Sequence, residues 1–409
     1  MQAQRQNPAQ SAEQGISPAT RAYWSVSVAL FLAGFSTFSL LYCVQPLLPI
    51  FAQQFHVGAA QSSLVLSLTT AFLALSIILV GALSENWGRR ELMFISMLLA
   101  AGLNVAVAFV PGWHSLLVIR AAEGFVLGGV PAVAMAYLAE EIDASGLGLS
   151  MGIYVGGTAF GGMVGRVGMS YLYEQFSWQT AIITIGVIDL FAAVGFFMLL
   201  PPSRRFVRRK SFDLIFHLDA WRQHLLNTRL PWVFLMGFVV MGVFVTIYNY
   251  AGFRLMQRPY ALSQTQIGLI FTAYIFGIAA SSLAGGLADK LGRRQVLFYG
   301  LSISVIGLLL TLLTPLWLIV LGIIFVTVGF FMTHSVASGW VGLLAQGNKG
   351  HASALYLLAY YLGSSVLGSA GGTVWQCYSW NGVVLFCVIL LVVGFAAACA
   401  LGINKKVTH

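Results

Sequence analysis

The chain has 409 residues, of which 59% are hydrophobic and only 8% charged, with a mean hydropathy of +0.87. A soluble domain carries about 25% charged residues, so no soluble fold of this length could cover its apolar surface, and the solvent for most of the chain is lipid. The net charge of +9 would point to nucleic acid in a soluble protein; in a membrane chain the basic residues first report topology.

From the N-terminus, residues 1–22 are rich in Gln, Ala and Ser and read as a tail without a signal-peptide pattern. Twelve stretches then meet the requirement of about 20 apolar residues for crossing ~30 Å of hydrocarbon: 23–48, 62–84, 91–110, 115–138, 147–172 and 179–200, then 231–255, 264–288, 295–314, 316–339, 351–374 and 380–402. The predicted fold class is therefore all-α, with twelve transmembrane helices in two six-helix bundles, 23–200 and 231–402, and a short tail, 403–409. An even number of spans puts both termini on one side. Of the 21 Lys and Arg residues, only Arg254 and Arg258 fall on the opposite side, and Arg120 and Arg166 fall inside spans. That bias predicts cytoplasmic termini and explains the positive charge without nucleic acid.

Between the bundles lies the connector 201–230. It opens "PPSRRFVRRK", and Leu214, Leu218, Trp221 and Leu225 fall on one helical stripe. Two readings stay open: a helix lying on the membrane surface or a basic linker without fixed structure.

The two bundles repeat. GALSENWGRR (81–90) returns as GGLADKLGRR (285–294), 204 residues later, with five of ten positions identical and Glu85 answered by Asp289. At the same offset Gln45 falls on Asn249. Parallel six-helix repeats are the plan of a secondary transporter whose site lies between halves. In the decapeptides, Gly81 and Gly285 permit close helix packing, and Gly88 and Gly292 permit a tight turn. The pairs Arg89–Arg90 and Arg293–Arg294 can grip a carboxylate or a helix C-terminus. The group therefore reads as a gate on the cytoplasmic face; the competing reading is a pair of plain positive anchors.

The pattern GxLaDrxGRR, repeated at this spacing, resembles the major facilitator superfamily from about residue 23 to 402. "LYCVQPLLP", "GGMVGR", "THSVAS" and "YYLGSS" are similar to its YnfM-like bacterial inner-membrane branch, related to drug and sugar efflux permeases. The resemblance implies alternating access, a multi-pass protein of the bacterial cytoplasmic membrane, and export of a small organic molecule in exchange for protons. An importing symporter or facilitator, and a non-transporting receptor, are the rivals. No cofactor other than the proton, no nucleic acid and no obligate protein partner is expected; a small-molecule substrate and membrane lipids are.

Polar residues within the spans are the candidate site. Arg120 and Glu123, three apart on one helical face, can form an ion pair. The resemblance implies proton coupling there, since RxxqG in the fourth helix matches Arg120, Glu123 and Gly124. Their alternative is a structural pair. Asp189 in span six is either a coupling acid or a residue paired to a neighbouring helix in a peripheral support. His334 in span ten titrates in the useful range when unperturbed, or is a buried hydrogen-bonded residue. Tyr42, Gln45, Tyr248 and Asn249 can orient substrate, since spans one and seven line the cavity in the family. Arg166 either joins Arg120 in attracting an anion or snorkels outward. Gly157, Gly161 and Gly162 permit close helix crossing. They resemble the antiporter motif of span five, with Thr158 where that motif has Pro. Tyr356, Tyr360 and Trp340 are read as packing residues. Cys43, Cys377, Cys387 and Cys399 have no CxxC spacing and are read as buried hydrophobes, not as a metal site. No enzyme motif occurs in the chain.

Overall fold

The computed structural model describes residues 15–83, 88–203, 205 and 214–402. Their regular structure is helical, apart from one bridge between Ile16 and Ile142. Among the described residues, eleven helical runs are long and apolar enough to cross a membrane. The last, Lys349–Ala400, spans 52 residues and is broken at Ser379 (φ 53°, ψ −154°), which makes two passages of it. The twelve are α1 (Arg21–Gln54), α2 (Ala59–Val80), α3 (Arg89–Val107), α4 (Trp113–Glu141), α5 (Ala144–Gln175), α6 (Trp178–Leu199), α7 (Leu230–Leu255), α8 (Gln264–Leu291), α9 (Arg293–Leu310), α10 (Leu316–Leu344), α11 (349–378) and α12 (380–400). With twelve passages, the first and last described residues, 15 and 402, fall on the same side, called the terminal face below.

Local chemistry sets several boundaries. Thr20, Ser177 and Ser263 accept backbone N–H bonds at the starts of α1, α6 and α8, and Ser263 forms a capping box with Gln266. Pro46 and Pro49 cannot donate to a helix. Regular α1 accordingly stops at Tyr42, passes through a 3-10 turn, Gln45–Leu47, and resumes at Leu48. Pro131 breaks α4 in the same way, between Leu127 and Pro131. Gly292, at φ 94°, makes the α8–α9 turn in a region other residues rarely adopt.

Within the first half, α5 crosses α1 at contact distance. A side chain at Gly157 or Gly161 would collide with the backbone of Phe31 or Phe35. Gly363 meets the Phe238 backbone in the same way, pressing α11 onto α7 in the second half. Across the halves, α2 packs on α11 and α5 on α8.

Two expectations are corrected, and one open reading is resolved. The N-terminal tail is docked from residue 15: Ile16 N donates to the Glu141 carbonyl at 2.8 Å, and Asp143 N donates to Ile16 O at 3.2 Å. Cys43 and Cys387 are buried, but Cys377 and Cys399 are exposed to the surroundings of the bundle. Of the two readings left open for the connector, the structure holds a helix, Leu214–Leu225. His217, Ala220 and His224 are buried, while Leu218 and Leu225 face outward. His217 Nδ1 lies 2.8 Å from His351 Nε2, and His224 lies 3.2 Å from the Asn348 carbonyl, so the helix is fastened to the start of α11.

Candidate functional site at the junction of the two halves

The substrate candidates converge. The α1 break places Tyr42 and Gln45 at the junction, opposite Tyr248 and Asn249 on α7. The Gln45 amide donates to Asn249 Oδ1 at 2.7 Å, and Arg166 Nε on α5 donates to Gln45 Oε1 at 2.6 Å. Arg166 Nη1 donates to the Gly162 carbonyl at 2.6 Å, which gives Gly162 a role besides packing. The guanidinium carbon lies 4.1 Å from the Tyr42 ring centroid, 5.0 Å from Tyr274 and 5.2 Å from Phe271. Tyr248 stacks on Phe271 at 5.0 Å, and its hydroxyl bonds Thr327 at 2.7 Å. Arg166 is therefore held between α1, α5 and α8 rather than snorkelling.

This layer is also where the halves are joined. Gln264 Nε2 donates to the Pro46 carbonyl at 2.6 Å. Glu174 at the end of α5 accepts from Ser263 Oγ (2.9 Å) and Thr265 N (2.6 Å) at the start of α8. Ser365 and Ser369 of α11 donate to Ser67 O and Oγ at 2.6 and 2.8 Å. Among the described residues, every hydrogen bond between the two six-helix halves lies in this layer or beyond it, away from the terminal face. Towards the terminal face, a side chain added at Gly148, Gly152 or Gly156 on α5, or at Gly285 or Gly286 on α8, would meet nothing within 4 Å. These hydrogen bonds clasp the halves at one end, and the glycines towards the other end lie uncovered.

The proton-coupling candidates form a separate buried group in the first half. Arg120 Nη1 pairs with Glu123 Oε2 at 2.6 Å, and both side chains are fully buried. Arg120 also donates to the carbonyls of Leu40 (3.3 Å), Leu41 (3.0 Å) and Val65 (3.5 Å). Leu40 and Leu41 lie just before the α1 break, so Arg120 ties α4 to the segment that carries Tyr42 and Gln45. Asp189 on α6 faces Ser36, Ser39 and the Glu123 carboxyl. Neither of its oxygens, nor Glu123 Oε1, has a hydrogen-bond partner among the described residues. His334 stands apart. Its Nδ1 lies 2.9 Å from the Tyr356 hydroxyl, and its ring is 4.6 Å from Tyr360.

At the terminal face, each decapeptide works within its own half. Arg89 forms a two-pronged pair with Glu140 at 2.7 and 3.3 Å, joining α3 to α4. Arg90 donates to the Phe197 carbonyl of α6 at 2.6 Å, and its counterpart Arg294 donates to the Ala398 carbonyl of α12 at 3.2 Å. Asp289 reaches Arg293 at 3.5 Å and remains largely exposed. Gly81 lies in the last turn of the helical run Leu64–Leu83, Gly88 caps α3, and Glu85 lies outside the described residues.

Sequence reasoning missed Gln264, Glu174, Ser67, Ser365 and Ser369, as well as Tyr274 and Phe271 around Arg166. Gln264 and Glu174 stand at helix ends, where polar residues draw no notice, and the two aromatics are lost in apolar runs.

The model of the Major Facilitator Superfamily matches residues 30–258 and 244–408. The chain belongs to that superfamily. It is a multi-pass membrane transporter, not an enzyme. It is 44% identical to the uncharacterized MFS-type transporter YybF of Bacillus subtilis (strain 168), over 91% of this chain and 92% of that protein. It is 42% identical to the inner membrane transport protein YnfM of Escherichia coli (strain K12), over 93% and 91%. Among solved structures, the nucleoside transporter NupG superposes with a TM-score of 0.76 at 15% identity, covering 92% of this chain and 99% of that one. A bacterial homologue of the human lysosomal transporter Spinster, inward-facing and unoccupied, gives 0.73 at 13% identity, over 94% and 98%. At these identities the likeness of the solved structures is one of major facilitator fold.

Proposed function

We propose that this transporter is a proton-coupled exporter of small organic molecules, working by alternating access in a bacterial inner membrane with both termini in the cytoplasm. The charge bias and the inner-membrane relative support that setting.

The observation that carries the coupling is the buried group of Arg120, Glu123 and Asp189. With both acids ionised, the group holds a net −1 in a dry interior, a costly arrangement. One proton makes it neutral. Gaining or losing that proton changes the grip of Glu123 on Arg120, and Arg120 holds the backbone just before Tyr42 and Gln45. Protonation in the first half is thereby linked to the clasp between halves. Tyr42, Gln45, Arg166, Tyr248 and Asn249 take the substrate, reached from the terminal side. His334 lines that approach with Tyr356 and Tyr360. The glycine stretches of α5 and α8 leave room for the terminal ends to meet when the clasp opens. Asp289 and Glu85 then latch the closed terminal face.

One observation favours an importing reading. Thr158 replaces the proline of the antiporter motif; its hydroxyl bonds the Val155 carbonyl at 2.7 Å, and α5 runs unbroken from Ala144 to Gln175. Vesicles containing the purified protein and a trapped pH dye separate the two. Under an antiporter, an outward-directed gradient of the transported compound drives protons in, and Glu123→Gln abolishes that flux. Proton movement in the same direction as the compound would establish a symporter.

A further inference from the structure

Arg120 has Glu123; Arg166 has no acid. It is 1% exposed, and no carboxylate lies within 4 Å of it among the described residues. Its fixed acceptors are neutral, Gln45 Oε1 and the Gly162 carbonyl, and aromatic faces cover the rest. Arginine only donates hydrogen bonds. Gln45 must therefore present its oxygen to Arg166 and its nitrogen to Asn249, and Asn249 is left with an unpaired Nδ2 donor. No amide in this relay can turn to offer a second acceptor. The Tyr274 hydroxyl also reaches the guanidinium, and it too is a neutral partner. The layer thus has spare positive charge and spare donor capacity, and it lacks a charged acceptor.

The shape of the layer narrows the rest. Phe244 and Phe330 stack at 3.9 Å with planes 14° apart, and Tyr274 lies tilted at 58° to Phe244 with centroids 5.6 Å apart. Around Arg166 itself the walls are the rings of Tyr42, Tyr274 and Phe271, and aromatic groups pair favourably with another ring in offset or edge-to-face geometry. A sugar would need a dense set of free polar groups, but the Tyr248 hydroxyl is already engaged by Thr327 and Gln45 is engaged at both ends. A cation would meet Arg166.

We infer that the cargo is an organic anion with a planar aromatic body, its carboxylate received by Arg166 and its ring laid among Tyr42, Phe271 and Tyr274. This deepens the carrier reading and rests on it. Binding would also pull Arg166 from Gln45, loosening the clasp at the moment the substrate is seated.

The test uses the purified full chain in detergent and thermal unfolding against concentration. The probes are benzoate and cinnamate, their neutral amides, and benzylamine. The carboxylates should raise the midpoint saturably. The amides should bind at least tenfold more weakly, and benzylamine should give no saturable shift. Arg166→Gln should remove the discrimination, and Arg166→Lys should restore part of it. Equal binding of amides, preference for the amine, no saturable shift from either carboxylate, or full discrimination in Arg166→Gln would overturn the inference. Because Arg166→Gln can also disturb the fold, the carboxylate–amide comparison in the unaltered protein stands by itself. Flux in vesicles separates the two claims. Carboxylates that bind but never cross would sink the carrier reading and leave the anion site. A neutral or cationic compound carried equally well by Arg166→Gln would do the reverse.

Discussion

Gln45 and Asn249 occupy the same place in the two copies of the repeat, 204 residues apart, and their amides share a 2.7 Å hydrogen bond. The equivalent residues of the two halves therefore meet at the junction and clasp each other there. A buried bond of this kind contributes about 1 kcal/mol. Gln45→Ala and Asn249→Ala should each shift the population several-fold towards opening at that end, and the double variant should add little to either. Reactivity of a cysteine placed beyond the clasp reads this out. Fully additive effects would show that the two side chains do not act as a pair.

Arg120→Ala removes the partner of a buried carboxylate and four hydrogen bonds. The expected loss is about 3–5 kcal/mol, the range for breaking a buried pair, measured by equilibrium unfolding in detergent. Glu123→Gln keeps the shape and removes the charge, so it should cost less, about 1–2 kcal/mol. Substrate exchange should persist in Glu123→Gln while its response to pH disappears. An unchanged pH response would remove Glu123 from the coupling.

The glycines of α5 divide into two sets. Gly161 is pressed against the Phe35 backbone, so Gly161→Leu should prevent normal packing of α5 on α1 and lower stability by several kcal/mol, about the upper range for single substitutions. Gly152 faces open space in this arrangement. Gly152→Leu should leave stability within about 0.5–1 kcal/mol, yet slow transport by blocking closure at the terminal face. Equal loss of stability at both positions would contradict the division.

Asp289 and Arg293 form an exposed pair at 3.5 Å, worth about 0–1 kcal/mol at most. Asp289→Asn should therefore leave the thermal midpoint nearly unchanged. Combined with Glu85→Gln, it should enrich the arrangement parted at the terminal face, because the latch of the other arrangement is lost. Interhelix distance labels measure that population, and no shift would return the acids to the role of plain surface charges.

Much of this architecture was legible because lipid imposes a simple rule: about 20 apolar residues per passage, with charges sorted by side. The repeat was legible for the same reason, since charge is so sparse that a duplicated decapeptide stands out. Gln45, Asn249 and Arg166 were found as polar residues where none is cheap. Their bonding to one another was not, because contacts between α1, α5 and α7 depend on the break that Pro46 and Pro49 make in α1. Glu174 and Ser263 meet only because the halves are tilted together at that end, a fact of tertiary arrangement. In the connector the leucine stripe suggested a surface helix, but not what fastens it. Hydrophobic stripes usually face protein, but at a membrane surface they can face lipid, leaving His217 and His224 to hold the helix.

The central claim is that the halves pivot, closing one end as the other opens. Paired spin labels at Leu149 and Leu287 near the terminal face, and at Gln175 and Gln257 near the opposite face, test it directly. All four positions are exposed. On a change of pH across the working range, the first distance should shorten as the second lengthens. Distances that move together, or a second pair that stays fixed while transport proceeds, would contradict it.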